Sequence, residues 1–361
     1  TLARREPLNR QKNKGKTVNM PAFSEMESFG YTVLMNPIEN LIVSYPHPNM
    51  KKAFNVKHDI EKQLEKKRKN EMEESTTKND EKHNKEIIDV THDSIENLSV
   101  ENRFSLQPQE LTGKKGLERV MNFIDNTVPS EKGQFEYKKD FENRFGRIFS
   151  KEKIGKYSKK IETVLNCIAN EKHVSEGVIL IYSQYIDSGL IPMALALEEF
   201  GFTRFGNHSK PLFKTKPSDV IDVRTMKTPL DKKDFKPAKY ILITGDKRLS
   251  PNNDYDVKNI TEANNATGEK IKVVLISKAG SEGIDFKFIR QVHILEPWYN
   301  INRIEQVIGR AVRSMSHQML PFEKRNVQLY MHGTVLMKGS LEETADLYVY
   351  RAAQEKSILM G

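Results

Sequence analysis

Short continuous apolar runs alternating with amphipathic stretches predict an α/β fold from about Lys151 to the end of the 361-residue chain, a parallel sheet with helices on both faces. A strand covered on both faces reads apolar throughout because neither face meets water, and a parallel neighbour needs a crossover helix to reach it. The strand candidates are Val178–Tyr182, Tyr240–Ile243, Lys272–Ile276, Gln291–Leu295 and Val327–Met331. Helices fill the intervals at Lys156–Ala169, Leu190–Phe200, Ile301–Val312 and Leu341–Gln354. In such sheets ligands gather at the carboxyl ends of the strands, so the residues just after each run are the functional candidates.

The first 150 residues read differently. Residues 1–17 form a basic tail without periodicity, and residues 18–50 a short accessory segment in which Tyr31–Met35 and Leu41–Tyr45 are expected as strands joined by a turn at Asn36-Pro37. Residues 51–100 form a charged insertion, dense in Lys, Glu, Asp and Asn, with too few apolar side chains to offset the entropy of ordering. Residues 101–150 form a helical accessory region, with apolar residues near helical spacing in Gly116–Ile124 and Phe135–Phe149. Residues 151–361 are the α/β domain.

A formal net charge of +9 favours a polyanionic partner, since Lys and Arg at phosphates release condensed counterions. The one cysteine, Cys167, lies in an apolar helical stretch, which excludes disulfides and cysteine-based zinc sites. No apolar run is long enough to span a bilayer, and the N-terminal residues lack the apolar block of a signal peptide, so a soluble intracellular protein is expected. A first residue of Thr rather than Met is expected of a piece of something longer.

Two segments carry chemistry. In Gln306-Val-Ile-Gly309-Arg310-Ala-Val-Arg313, a helix places Gln306, Arg310 and Arg313 about a turn apart on one face. One amide and two guanidiniums pointing the same way suit a triphosphate, because a guanidinium is a permanently charged planar fork that stabilises the charge spread in phosphoryl transfer. The other segment, Ser277-Lys278-Ala279-Gly280-Ser281-Glu282-Gly283-Ile284-Asp285, directly follows a strand. Gly280 and Gly283 permit close backbone approach, Ser277 and Lys278 can donate to phosphate, and Asp285 can accept from a ribose hydroxyl.

Together these segments resemble superfamily 2 helicases over Lys156–His332. Val178–Tyr185 resembles motif IV, Ile243–Asp246 the segment that follows it, Ser277–Asp285 motif V and Gln306–Arg313 motif VI, in the family's order. Leu295-Glu296-Pro297-Trp298-Tyr299-Asn300 falls where the family has an acidic-Pro-Trp-Asn stretch that couples nucleotide state to track grip, core filling being the competing reading for Trp298. The resemblance implies a second RecA-like domain of the P-loop NTPase type. It also implies catalytic roles for Gln306, Arg310 and Arg313, and nucleotide contacts from Gly283, Asp285 and Gly309. Nucleic-acid contacts are implied for Ser183, Gln184, Thr244, Gly245, Ser277, Lys278, Gly280 and Trp298.

The stretches Tyr182–Glu198 and Gly309–Tyr330 are further similar to helicases of large nucleocytoplasmic DNA viruses, of the poxvirus early transcription factor small subunit and nucleoside triphosphatase I type. That likeness implies ATP-dependent work on nucleic acid, with DNA favoured over RNA, in viral transcription in the virion or the cytoplasmic virus factory, the viral RNA polymerase being a candidate partner.

The family holds ATP and Mg on a preceding RecA-like domain, and neither of that domain's signatures is met here. Gly15-Lys16-Thr17 imitates the end of a phosphate loop, but Arg10 stands where a glycine is required and no strand precedes it. Asp80-Glu81-Lys82-His83 imitates an acidic box inside a solvated charge run. The expectation is an upstream ATP-holding domain, without which the fragment has negligible ATPase activity. The alternative is a non-catalytic RecA-like scaffold of a transcription complex, distinguished by whether a strand and Gly-x-x-x-x-Gly-Lys-Thr/Ser occur upstream. A Rossmann-type dinucleotide enzyme fails because no Gly-x-Gly-x-x-Gly follows the first strand.

Overall fold

The computed structural model describes residues 2–3, 31–50, 106, 108–124, 134–170, 175–206, 210–230, 233–281, 283–336 and 343–360. The charged insertion and nearly all of the basic tail lie outside these residues, as do Gly15-Lys16-Thr17 and Asp80–His83. The chain divides into two units, residues 1–44 with 112–361 and residues 45–111. In the second unit Tyr45 N donates to Leu111 O at 2.6 Å.

The larger unit is built on a six-stranded sheet in which every pairing is parallel. An antiparallel hairpin, β1 (Met121–Ile124) with β2 (Gln134–Tyr137), stands apart from it. The sheet strands are β3 (Val178–Tyr182), β4 (Thr203–Arg204), β5 (Lys239–Ile243), β6 (Val273–Ile276), β7 (Ile289–Ile294) and β8 (Gln328–Met331), in the spatial order β4-β5-β6-β3-β7-β8. The five longer strands match the apolar runs; β4 has two residues and too little sequence to signal itself.

Every residue of β3 is buried, as two covered faces require. Val178, Leu180 and Tyr182 join one core cluster with residues of β5, β6 and β7, while Ile179 and Ile181 are equally buried on the other face. Each such side chain contributes about 1.5–3 kcal/mol by leaving water.

The helices are α1 (Tyr31–Asn40), α2 (Gly113–Val120), α3 (Lys139–Phe145), α4 (Lys159–Ile168), α5 (Ile191–Phe200), α6 (Asn253–Thr261), α7 (Ile301–Ala311) and α8 (Ala345–Met360). Ser158 caps α4 by accepting from Ile161 N at 3.1 Å and donates to Ile42 O at 2.7 Å. Gly201 ends α5 at φ 110°, where a Cβ would meet Asp219 O at 2.6 Å, so only glycine fits.

Two expectations for the accessory segments are corrected. Tyr31–Asn40 is a helix containing Pro37, not a strand and turn. Leu34 and Ile38, four residues apart, pack on Ala345, Val349 and Ala352 of α8, and that burial outweighs the local signal of Pro37. The Leu41–Tyr45 stretch is likewise not a strand; it leaves α1 in a turn, with Ser44 N donating to Tyr157 O.

In the helical accessory region, β1 and β2 replace helix. Phe135 and Tyr137 are buried with Glu136 exposed between them, the period-two pattern of a half-buried strand.

Two buried carboxylates of α5 organise this region, Glu199 holding the hairpin and Glu198 the 212–213 stretch beside it. Glu198 accepts from Leu212 N at 2.7 Å, Phe213 N at 2.8 Å and Tyr240 Oη at 2.6 Å. Glu199 accepts from Tyr137 Oη at 3.1 Å and Arg147 Nε at 3.0 Å. Phe135 N in turn donates to Leu212 O at 2.7 Å, so β2 leans on the 211–214 stretch by backbone bonds as well. Hairpin and sheet therefore share one packed unit, and α5 is buried at every residue from Ile191 to Glu199.

Candidate nucleotide and nucleic-acid site

Parallel register decides where the loops begin. Tyr182 lies opposite Ile276 and Ile294, and Ile243 opposite Ile276, so β3, β5, β6 and β7 end at one level and their following loops start side by side.

The turn after β6 is shaped from within. Ser277 is buried, its N donates to Ile243 O at 3.2 Å, and its Oγ accepts from Gly280 N at 3.3 Å. A Cβ on Gly280 would stand 2.0 Å from Ile243 O, so this glycine is required by packing against β5. Gly283 has φ 76° and open space where a Cβ would point. The turn then joins the end of α7, with Phe286 N donating to Arg310 O at 3.2 Å and Phe288 N to Ser316 O at 3.3 Å.

On α7 the apolar residues Ile304, Val307 and Ala311 are buried, and Asn300 caps the helix by accepting from Asn302 N at 3.0 Å. The other side carries exposed Gln306, exposed Gly309 and half-buried Arg310. The helix ends at Ala311, so Arg313 is not on the helical face that the sequence predicts. It reaches the turn regardless. Arg313 Nη1 donates to Asp285 Oδ1, and Arg310 Nη1 lies 3.6 Å from the same oxygen and 3.5 Å from Ile284 O.

Two guanidiniums thus share one carboxylate at an exposed position, with Asp285 52% and Arg313 55% exposed. Such a pair is worth roughly 0–1 kcal/mol of stability, so its arrangement is not explained by folding. Gln306 makes no side-chain hydrogen bond among the described residues.

The other expected residues divide by burial. Ser183 is fully buried and its Oγ donates to Glu296 Oε2 at 3.0 Å, while Gln184 N donates to Glu296 Oε1 at 2.5 Å. Thr244 is buried against Ser250 Oγ, at 2.6 Å from its Oγ1 and 2.9 Å from its N. Ser183, Thr244, Ser277 and Gly280 are thus buried, and their contacts shape the loops that they stand in. Gln184 and Trp298 are half-buried, and Gly245 and Lys278 exposed.

Trp298 packs partly against two apolar clusters, and Lys278 Nζ and Arg303 Cζ lie 5.5 Å and 4.7 Å from its ring centroid. The ring thus fills the core on one side and carries two cations on the other.

Two residues are more central here than the sequence reading made them: Glu296, read there only as part of the acidic-Pro-Trp-Asn stretch, and Arg303, not singled out at all. Glu296 joins the loop after β3 to the stretch after β7, and burial pushes its carboxyl up to about 7 against the opposing pull of Gln184 N, Lys160 and Ser183. Arg303 shares α7 with Arg310, seven residues earlier, a spacing that was the available signal.

Behind the site, Lys160 Nζ pairs with Asp346 Oδ2 at 2.8 Å and donates to Leu295 O at 2.9 Å, both side chains being buried. Among the described residues no group of three or more His, Cys, Asp or Glu could hold a metal ion, and no helix is long and apolar enough to cross a membrane.

Residues 220–315, which include this turn and most of this helix–loop, match the family described as the helicase conserved C-terminal domain. The chain is 34% identical over 215 residues to the "Termination factor NPH-I homolog" of African swine fever virus, covering 54% of this chain and 30% of that protein. It is 42% identical over 97 residues to the "Nucleoside triphosphatase I" of Melanoplus sanguinipes entomopoxvirus, covering 26% of this chain and 15% of that protein. The chain thus spans about a third or less of the length of these curated relatives. Among solved structures, the C-terminal part of the Fun30 ATPase domain aligns with a TM-score of 0.33 and 14% identity, over 56% of this chain and 46% of that one. The six-stranded parallel sheet and the match of residues 220–315 to the helicase conserved C-terminal domain thus support the likeness of this chain to superfamily 2 helicases.

Proposed function

We propose that this domain is the second half of an ATP-dependent motor on nucleic acid, in which Arg310 and Arg313 act as arginine fingers on a nucleotide held by another RecA-like domain. The observation that carries the reading is the meeting of both guanidiniums at Asp285, on the exposed carboxyl edge of the sheet. ATP supplies the phosphoryl group transferred to water. The fingers stabilise charge on that group in the transition state, while Gln306, Gly283 and Gly309 line the nucleotide-facing surface and Asp285 accepts from the ribose. Mg is held by the ATP-holding domain.

Gln184, Gly245, Lys278 and Trp298 form part of the track, DNA being favoured over RNA. The names of the viral relatives, a termination factor and a nucleoside triphosphatase, support work in viral transcription beside the RNA polymerase, in the virion or the virus factory.

The test is Arg313→Ala in the full-length protein. Turnover is expected to fall by about 10³ while nucleic-acid binding is spared. Preserved turnover would remove Arg313 from its role and favour a scaffold function. The isolated chain is expected to show negligible ATPase activity and nucleic-acid binding that weakens steeply with salt.

A further inference from the structure

Arg303 lies in the first turn of α7 with its guanidinium over Trp298, beside Lys278 on the same ring. Its Nη1 is buried without a hydrogen-bond partner, and among the described residues the side chain has no ion pair. A guanidinium keeps its charge and its five N–H donors under all ordinary conditions, so a buried nitrogen with no acceptor calls for an explanation.

A second orphan lies close by. Tyr182, 3% exposed at the end of β3, has a buried hydroxyl without a partner, and its phenol feels both Glu296 and Arg303. Glu296 is already engaged by Ser183 and Gln184. No acidic residue stands in the first turn of α7, whose N-terminal end adds its own positive field. The two orphan donors, Arg303 Nη1 and Tyr182 Oη, leave Arg303 short of a negatively charged acceptor.

The position of that acceptor follows from the helix. Arg303 precedes Arg310 by seven residues, about 10 Å along the axis at 1.5 Å per residue. The orphan therefore sits apart from the pair at Asp285, toward the loops that carry Gln184, Lys278 and Trp298.

We propose that Arg303 is a phosphate-binding residue of the nucleic-acid track, seated on Trp298 so that this half-buried side chain, with exposed Lys278, receives one backbone phosphate. The inference rests on the reading that this domain binds nucleic acid, and assigns a contact within it. A fork-shaped donor held flat on an indole suits a phosphodiester, because both the charge and the geometry of the ligand are recognised.

The experiment uses the whole chain, whose single tryptophan is Trp298, so its emission reports on this site alone. Wild type, Arg303→Ala and Arg303→Lys are titrated with single-stranded DNA, single-stranded RNA, duplex DNA and inorganic pyrophosphate over a range of salt. Nucleic acid is expected to alter the emission. Arg303→Ala is expected to weaken binding about ten-fold and to reduce the slope of log affinity against log salt by about 0.7 for a single strand or about 0.9 for a duplex. Arg303→Lys retains the slope, because the charge remains, with affinity between the two.

An unchanged slope in Arg303→Ala, with wild type still binding, would overturn the inference alone. Pyrophosphate reproducing the emission change with the same dependence on Arg303 would overturn it too, by giving the anion to the nucleotide. Failure of the wild-type chain to bind any nucleic acid would overturn the underlying reading and this inference together. Should Arg303→Ala fail to fold by circular dichroism, Arg303→Gln carries the same comparison.

Discussion

Gly280 and Gly309 look alike in the sequence, each a glycine inside a helicase-like motif, but the structure assigns them opposite consequences on substitution. A Cβ on Gly280 would stand 2.0 Å from Ile243 O, a backbone atom of a central strand that cannot move aside without disturbing the sheet. Gly280→Ala should cost about 1–3 kcal/mol, as overpacking in a dense interior does. A Cβ on Gly309 meets nothing within 4 Å, and the residue is exposed on α7. Gly309→Ala should stabilise by about 0.5–1 kcal/mol, because alanine loses less backbone entropy in a helix.

For a packed unit of this size, 1 kcal/mol moves Tm by about 2–4 °C. Thermal unfolding of the isolated chain, followed by circular dichroism, should therefore place Gly309→Ala a few degrees above wild type and Gly280→Ala clearly below it. A neutral Gly280→Ala, or a Gly309→Ala that unfolds earlier than wild type, would refute the reasoning. If the open face at Gly309 is where nucleotide approaches, Gly309→Ala in the full-length protein should raise KM for ATP although the fold is firmer.

Lys160→Met should destabilise the chain by about 3–5 kcal/mol in urea titrations, because Asp346, fully buried, would lose its cation; an unchanged midpoint would show that the pair does not matter. A pH effect follows from three buried groups. Burial and mutual repulsion hold His293 at about 3, and burial with Lys160 nearby holds His332 at about 4, against an ordinary value of 6.5. Lowered histidine values give stability that is complete above 6.5 and lost as pH falls, about 3 kcal/mol for the two together between pH 7.5 and 5.5. Glu296, raised to about 7, acts in the opposite sense, its contribution being present below 4.5 and lost as pH rises, so the same acidification recovers about 2 kcal/mol. Wild type should lose about 1 kcal/mol over that interval and Glu296→Gln about 3 kcal/mol; equal losses in urea unfolding at the two pH values would refute the assignment.

How much of this was legible in the sequence can be seen strand by strand. The long central strands were readable because burial on both faces removes every polar residue from the run, as in Val178–Tyr182. The glycine-bearing turn and the arginine segment were readable because their residue types are chosen by local chemistry. Helix α1 and the β1–β2 hairpin were not. Pro37 gives a turn signal that is overruled by Leu34 and Ile38 packing on α8, more than 300 residues further on in the chain. Phe135 and Tyr137 alternate over a stretch too short to separate strand from helix.

The sequence by itself determined which faces must be buried and which residues can carry charge to a phosphate, because both are properties of side chains and their local spacing. Only the tertiary structure decided which of those residues are free to act. It turned Ser183 and Thr244 inward to close their own loops, brought Arg313 back to Asp285 after α7 had ended, and left a buried nitrogen of Arg303 unpaired over Trp298. These outcomes depend on contacts between segments far apart in the chain, and no local pattern encodes how a hydrogen bond made elsewhere will use up a donor.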